Sequence, residues 1–309
     1  MALLAGGRIR SVAKALGGSP LGNAELAARY GIEPSWILER TGIEQRWVGA
    51  QVDELAATAA ERAMAAAGVG PEDLDLIILA TSTAVRQVPA MAVRIAARLG
   101  TRCGCIDVNA VCSGFVYGLQ LAYGQLAIGA RRVLVVGADS FSELVDYEDR
   151  NSAILFGDGA GAVLLEACPD AGLLGLHTSS DPDGENLLYA DRNGKISMEG
   201  REIFRRAVTA MAESVCITLH RAGLEVGDID LVVPHQANVR IIDALARRAG
   251  LENTPVALNI AQHGNSSAAT VPMALADHMT SVGEPKPGDK VLFVSFGAGL
   301  VAASALVQW

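Results

Sequence analysis

Short runs of apolar residues alternate along the chain with longer amphipathic segments. Apolar runs of this length are typical of strands that are covered on both faces of a sheet. The longer segments, such as Glu54–Ala67 and Phe204–Ala222, are rich in Ala or repeat their apolar residues at helical spacing. The alternation predicts an α/β fold. The predicted buried strands are Leu76–Ala80, Val133–Gly137, Leu231–Val233 and Val291–Ser295.

Part of this pattern occurs twice. The phrases PEDLDLIILAT and VGDIDLVVPH align with Asp75 on Asp230, an offset of 155 residues (230 − 75). The phrases RRVLVVGA and DKVLFVSFGAG align with Val133 on Val291, an offset of 158 residues (291 − 133). Two nearly equal offsets over different elements indicate a duplicated α/β unit.

A duplicated unit predicts two halves of similar size whose matching ends meet at one site. The residues Cys168-Pro169-Asp170-Ala171-Gly172 have the composition of a turn. We therefore expect an N-terminal half at residues 1–168 and a C-terminal half at residues 169–309.

Composition narrows the class of protein. The chain has 309 residues, 50% of them hydrophobic, which is enough for a large core. Its net charge of −9 argues against nucleic-acid binding, so an acidic partner would need a local basic patch. No apolar run approaches the roughly 20 residues of a membrane span, and the first ten residues do not resemble a signal peptide. Five cysteines form an odd, sparse set that favours a reducing compartment, so we expect a cytoplasmic protein without a membrane partner.

Cys112 is the first candidate for chemistry. A strand is predicted before it, at Ile106–Ala110, and a helix from Cys112 to about Ile128. A thiol at a helix N-terminus faces free backbone N–H groups and the positive end of the helix dipole, and both favour the reactive thiolate. Taken alone, Cys112 is equally consistent with a buried structural cysteine. The other cysteines are interpreted as structural, and no metal site is expected because no partner pair has ligand spacing.

His235 and Asn265 are the other two candidates. His235 follows a predicted strand in LVVPHQANVR, and α/β proteins bind ligands at such strand ends. Asn265, in AQHGNSSAAT, precedes a helix predicted to begin near Ser267. Taken alone, His235 fits a structural role equally well, and Asn265 fits an ordinary N-cap.

A glycine-rich segment, GDGAGAV at residues 157–163, is similar to dinucleotide- and phosphate-binding loops. It lacks the Lys-Ser/Thr ending of a P-loop. We interpret it as a tight turn into a buried strand.

Taken together, these phrases resemble the β-ketoacyl-acyl carrier protein synthase III family of thiolase-fold condensing enzymes. They occur in the family's order over nearly the whole chain, and their co-occurrence is specific. The resemblance implies a five-layer αβαβα fold built from a duplicated α/β unit, in agreement with the repeat. The matching phrases are WILERTGI (36–43), VCSGF (111–115), FGDGAGA (156–162), VPHQANVR (233–240), GNSSA (264–268) and FGAGL (296–300).

The resemblance also implies a reaction in two stages. An acyl-CoA first passes its acyl group to Cys112. A malonyl group on acyl carrier protein then loses CO2, and its enolate attacks acyl-Cys112 to give a 3-oxoacyl-acyl carrier protein. His235 Nε2 and the Asn265 amide are expected to donate hydrogen bonds to the enolate oxygen. The backbone N–H groups of Cys112 and Ala298 are expected to form a second oxyanion hole, and no cofactor is expected beyond the two substrates.

Substrate-binding residues follow from the same resemblance. It assigns CoA to Trp36, Arg40, Arg150 and Arg240, with the indole on the adenine and the arginines on phosphates. It also implies a homodimer in which Val88 gates the acyl pocket of the other subunit. The carrier protein of this family is acidic, and a basic patch on two predicted helices is expected to dock it. The predicted docking residues are Arg205, Arg206, Arg240, Arg247 and Arg248.

Three segments depart from the common pattern of the family. Ser179–Ser197, which normally shapes the acyl pocket, is short, and FGAGL is followed by Val-Ala-Ala where Thr-Trp-Gly is common. The segment Thr81–Pro89 has one extra residue, which places Val88 where a bulky aromatic is frequent and adds Arg86. Arg86 is either a surface residue or a partner for a carboxylated acyl group, such as a glutaryl group on the way to biotin. A polyketide starter is a further alternative.

Two other functions stay open at this point. An acyltransferase on the same fold would move the Cys112 acyl group to an alcohol or amine without decarboxylation, but it would have little use for Asn265. A non-catalytic protein that binds CoA esters would not need an intact set of Cys112, His235 and Asn265.

Overall fold

Two five-stranded sheets form the framework of the molecule. A computed structural model describes residues 3–309. The strands are β1 (Ala5–Gly6), β2 (Arg8–Ala15), β3 (Ser19–Gly22), β4 (Gln45–Val48), β5 (Leu76–Ala80), β6 (Gly104–Val108), β7 (Arg132–Ser140), β8 (Asp158–Glu166), β9 (Gly172–Ser179), β10 (Leu188–Tyr189), β11 (Ser197–Met198), β12 (Leu231–Pro234), β13 (Lys290–Gly297) and β14 (Val301–Gln308). The helices are α1 (Asn23–Tyr30), α2 (Pro34–Thr41), α3 (Val52–Ala67), α4 (Met91–Leu99), α5 (Gly114–Ala127), α6 (Arg150–Ala153), α7 (Gly200–Ala222), α8 (Val239–Ala249), α9 (Ile260–His263) and α10 (Thr270–Ser281).

The two large sheets have related strand orders. The first runs β2-β8-β7-β5-β6 and the second β1-β9-β14-β13-β12. In each sheet a parallel pair, β5–β7 or β12–β13, is extended on one side by antiparallel strands, and the first sheet has a further parallel strand, β6, next to β5. The strands β3 and β4, and likewise β10 and β11, form separate two-stranded ribbons.

Helices and sheets stack in five layers. Helices α3 and α4 cover the outer face of the first sheet with small apolar side chains. Helices α5 and α10 lie between the sheets, where Phe115 and Leu275 pack with Val135 of the first sheet and Phe293 of the second. Helices α7 and α8 cover the outer face of the second sheet. This is the predicted αβαβα arrangement.

The sequence repeat corresponds to a structural repeat. Leu76 of β5 pairs with Val133 of β7, and Leu231 of β12 pairs with Val291 of β13 in the same parallel register. The aspartates one residue before β5 and β12 also act alike. Each accepts a hydrogen bond from the backbone N–H that begins the neighbouring strand, at 2.9 Å in the first half and 2.8 Å in the second. Strand β1 belongs to the N-terminal part of the chain but pairs in the second sheet. The division between residues 168 and 169 therefore stays a prediction.

The elements around Cys112 differ from the prediction by two residues. The strand is Gly104–Val108 rather than Ile106–Ala110, and α5 begins at Gly114 rather than at Cys112. Val111, whose φ of 47° lies in the left-handed region, begins the 3₁₀ turn Val111–Ser113 that separates the strand from α5. Within α5, a Cβ on Gly118 would lie 2.9 Å from the Val135 side chain, so the glycine lets the helix approach the sheet.

No helix within residues 3–309 is both long enough and apolar enough to cross a membrane.

Candidate active site

The nucleophile candidate lies in a turn between the two sheets. Cys112 occupies a 3₁₀ turn, Val111–Ser113, and its residue is 4% exposed. The end of β13 packs closely against this turn: a Cβ on Gly297 would lie 2.9 Å from the Cys112 nitrogen. A side chain there would move the turn, so Gly297 allows the two halves of the molecule to meet at the thiol.

Backbone strain is concentrated around the same point. Four non-glycine residues within 3–309 have a positive φ, and three of them, Val111, Ser267 and Leu300, belong to the turns that approach Cys112. Strained backbone of this kind persists where the surrounding structure requires it, and it is common at functional sites.

Burial controls the ionisation of Cys112. It raises the pKa of the Cys112 thiol to about 12, and the charge of Asp139 adds to this effect. The Ser267 hydroxyl and the Cys112 backbone N–H lower the pKa by smaller amounts. We predicted that a helix N-terminus favours the Cys112 thiolate. In the structure the helix begins two residues later, at Gly114, and burial favours the neutral thiol.

His235 is a buried, neutral imidazole directly after β12. Its backbone N–H donates to the Val294 oxygen at 2.8 Å, so the ring is held at the end of a parallel strand pair. Its Nδ1 lies 2.6 Å from the Thr270 hydroxyl. Burial lowers the pKa of His235 to about 3, because no carboxylate compensates the loss of water around an imidazolium.

Asn265 is held on both sides by backbone hydrogen bonds. Its N–H donates to the Leu155 oxygen and its C=O accepts from the Gly157 N–H, both at 2.9 Å. Its side-chain oxygen accepts from the Ser267 N–H at 2.9 Å, which leaves the amide hydrogens available to donate. The glycine-rich segment thus supports Asn265, and from Asp158 onward it is itself the buried strand β8 rather than a turn that leads into one.

The three candidates share one cavity. It has a volume of about 170 Å3 and a mainly apolar lining that includes Cys112, His235 and Asn265. Asn238 also lines it, and the Asn238 side chain donates to the Arg40 oxygen at 2.9 Å. The cavity therefore extends from the thiol toward the predicted CoA residues.

The predicted CoA residues lie together on the surface. The Arg40 guanidinium is 4.0 Å from the centre of the Trp36 ring, and the Arg150 guanidinium is 4.7 Å from it. Arg240 follows Asn238 in the first turn of α8. None of these three arginines forms an ion pair with another residue in the range 3–309, so their charges are available to a phosphate.

The predicted docking arginines are not equivalent. Arg205 and Arg206 of α7 both pair with Glu202, and Arg206 also pairs with Asp181 at 2.7 Å. The arginines of α8 are exposed and form no ion pair within the described chain. Within residues 3–309, Arg240, Arg247 and Arg248 have no carboxylate within ion-pair distance, and they share α8 with one acidic residue, Asp243.

A second, larger cavity opens on the other side of Cys112. Its volume is about 930 Å3, and Thr81–Gln87 and the short segment Leu188–Ile196 line it. Arg86 belongs to this lining, whereas Val88 does not and is 78% exposed. The lining carries as many carboxylates as cations, so its charge does not favour a carboxylated acyl group. The charged residues are Arg86, Arg192 and Lys195, with Asp107, Glu143 and Asp191.

Three supporting residues of the site had no signal in the sequence. Asp139 is fully buried, and burial raises its pKa to about 6 although it accepts bonds from Thr81, Thr83 and two backbone N–H groups. Arg46 is fully buried beside the Asn265 loop, and Thr270 contacts His235. Each acts on a residue distant in the chain, which a local pattern cannot reveal.

A duplicated five-layer fold with a cysteine, a histidine and an asparagine on one cavity defines a condensing enzyme of the thiolase fold. Models described as 3-oxoacyl-[acyl-carrier-protein] synthase III and its C-terminal part match residues 106–182 and 219–309. The chain belongs to the 3-oxoacyl-acyl carrier protein synthase III family, a group of acyltransferases.

Relatives and solved structures agree with this assignment. A β-ketoacyl-acyl carrier protein synthase III of Erythrobacter litoralis is 45% identical over 305 residues, which cover 93% of this chain and 94% of the relative. The crystal structure of the Aquifex aeolicus synthase III has a TM-score of 0.95 at 38% identity, with 98% and 100% of the two chains covered. The priming β-ketosynthase of the R1128 polyketide pathway has a TM-score of 0.92 at 32% identity, with 98% and 96% covered.

Proposed function

We propose that this protein condenses an acyl group from acyl-CoA with malonyl-acyl carrier protein to give a 3-oxoacyl-acyl carrier protein in fatty acid biosynthesis. The observation that carries the proposal is the convergence of Cys112, His235 and Asn265 on one narrow cavity in a member of this family. A non-catalytic protein would have no need for this set. Simple acyl transfer would not use the free amide donor of Asn265.

In the first stage, Cys112 accepts the acyl group. Its Sγ forms a bond to the acyl carbonyl carbon, the bond from that carbon to the CoA sulfur breaks, and the thiol proton leaves with the CoA thiol. We assign the negative oxygen of the intermediate to the backbone N–H groups of Cys112 and Ala298; the close approach of Gly297 to the Cys112 nitrogen and the shared cavity lining of Cys112 and Ala298 support this assignment.

In the second stage, His235 and Asn265 act on the malonyl thioester. Loss of CO2 leaves an enolate, and two donors on its oxygen stabilise the charge as it develops. The enolate carbon attacks acyl-Cys112, and the Cys112 sulfur leaves as a thiolate that takes up a proton. Neither His235 nor Asn265 has to act as a base, which agrees with the lowered pKa of His235.

We assign the CoA nucleotide to the surface group around Trp36. The guanidinium groups of Arg40 and Arg150 both lie over the Trp36 ring. An adenine that stacks on the indole would move one guanidinium outward toward the phosphates, where Arg240 supplies a further positive charge.

We assign acyl carrier protein docking to the exposed arginines of α8. Arg247 and Arg248 have no carboxylate within ion-pair distance in the described chain, whereas Glu202 offsets the charge of Arg205. The variant with Arg247→Glu and Arg248→Glu should raise KM for malonyl-acyl carrier protein and leave KM for acyl-CoA unchanged. Arg10→Glu, an exposed charge on β2, is the matched control. An equal effect of both variants would refute this assignment.

We also propose a cytoplasmic homodimer. Strand β6 is the free edge of the first sheet, and its Ile106 is 40% exposed beside the exposed loop of Val88. Exposed apolar edges of this kind are usually paired, and a second copy would cover the edge and the mouth of the larger cavity. The five free cysteines suit a reducing compartment. Ile106→Lys should shift the mass measured by light scattering toward the monomer.

The proposal is tested by separating the two stages. Cys112→Ala should abolish the acyl adduct seen by intact-protein mass spectrometry after incubation with acyl-CoA. His235→Ala and Asn265→Ala should still form the adduct and should release CO2 from malonyl-acyl carrier protein much more slowly. Condensation at the wild-type rate in either of the last two variants would contradict the proposed roles.

A further inference from the structure

Thr270, the first residue of α10, is the single contact that orients the imidazole of His235 through Nδ1. Its Oγ1 lies 2.6 Å from His235 Nδ1 and 3.0 Å from the Ser267 oxygen. Both side chains are buried, and Nδ1 has no other hydrogen-bond partner within residues 3–309. The protonation of His235 therefore depends on the direction of one hydrogen bond.

The Thr270 hydroxyl has one hydrogen and two acceptors within reach, His235 Nδ1 at 2.6 Å and the Ser267 oxygen at 3.0 Å. The shorter contact favours donation to Nδ1. If the hydroxyl donates to Nδ1, the Ser267 oxygen still accepts a hydrogen bond from the backbone N–H of Thr270. Directed in this way, the Thr270 hydroxyl leaves Nδ1 without a hydrogen.

We propose that Thr270 is a positioning residue that keeps the single hydrogen of His235 on Nε2. A neutral imidazole has only one N–H group, so the partner of Nδ1 decides whether Nε2 donates or accepts. In the proposed function, Nε2 has to donate to the enolate oxygen, and the inference rests on that function. A ring with its hydrogen on Nδ1 would present a lone pair to the enolate and repel it.

Two substitutions separate this role from a structural one. Thr270→Val keeps the shape and removes the hydroxyl, and Thr270→Ser restores the hydroxyl. Thr280→Val is the matched control, because Thr280 lies in the same helix and donates to the Ala276 oxygen at 2.8 Å without touching His235. A purely structural role of Thr270 would make Thr270→Val slow the acylation of Cys112 together with CO2 release.

The first measurement is CO2 release from malonyl-acyl carrier protein, with acylation of Cys112 followed in parallel by mass spectrometry. Thr270→Val should slow CO2 release by about 10- to 100-fold, the range seen when a metal-ligating histidine loses its hydrogen-bond partner, and leave acylation unchanged. Thr270→Ser should recover most of the rate, and Thr280→Val should keep it. Wild-type CO2 release by Thr270→Val would overturn the proposal.

The second measurement reads the tautomer directly. Long-range ¹H–¹⁵N spectra of protein labelled with ¹⁵N-histidine should show His235 with its hydrogen on Nε2, assigned by the signal that His235→Gln removes. A hydrogen on Nδ1 in the wild type would overturn the proposal even if Thr270→Val failed to fold. If His235→Ala released CO2 at the wild-type rate, the proposed function would fail instead, whatever the spectra of Thr270 variants show.

Discussion

The buried imidazole of His235 predicts that the protein loses stability in mild acid. Burial lowers its pKa to about 3, whereas an unfolded histidine has a pKa of about 6.5. Between these values the unfolded chain binds a proton that the folded chain does not. The contribution of His235 to stability is thus fully present above pH 6.5 and is lost as the pH falls toward 3.

The size of the loss in stability follows from the pH interval between the folded and unfolded pKa values of His235. Each pH unit within it costs about 1.4 kcal/mol, so a fall from pH 6.5 to pH 5 removes about 2 kcal/mol. The result does not depend on the lower pKa, because pH 5 lies well above it. Domains are stable by only about 5–15 kcal/mol, so such a loss is readily measured.

Urea unfolding at about pH 7.5 and pH 5 provides the assay, with His235→Gln as the comparison. Other buried groups titrate in this range. Asp139 changes the stability in the opposite direction, because its pKa is raised in the folded protein. The difference between the two proteins cancels these groups. The wild type should lose about 2 kcal/mol more than the variant between the two pH values. An equal loss in both proteins would refute a buried, neutral His235.

Three further predictions concern the neighbourhood of the site. Burial raises the pKa of Cys112 to about 12, so its alkylation by iodoacetamide should accelerate by about tenfold per pH unit from pH 6 to 9. Cys112→Ser gives the background from the other cysteines. A rate that stops rising near neutral pH would contradict the raised pKa. Gly297→Ala should slow acylation of Cys112 in mass spectrometry, since the new Cβ would lie 2.9 Å from the Cys112 nitrogen, and an unchanged rate would mean that the turn adapts freely. Arg46→Met should lower the free energy of unfolding in urea by about 3 kcal/mol, because two buried carbonyl oxygens and the Asn23 side chain lose their donor; a loss near zero would mean that water replaces the guanidinium.

Much of the fold was predictable because its determinants are local. The strands at Leu76–Ala80 and Leu231–Pro234 were recognised from apolar runs alone, and the repeated aspartates revealed the duplication. The position of Cys112 relative to its helix was not predictable. Cys112 lies in a turn that begins with the left-handed Val111, and the distant Gly297 packs against this turn at Cys112 and Ser113.

The sequence by itself determined the α/β class, the repeat and the identity of the candidate residues, since hydrophobic period and residue type are properties of short segments. Only the tertiary structure decided their chemical state. Burial between two sheets makes the Cys112 thiol hard to ionise and keeps His235 neutral. The Thr270 hydroxyl, from a different helix, orients that imidazole. Desolvation and hydrogen bonding act through space, so they depend on which distant segments the fold brings together.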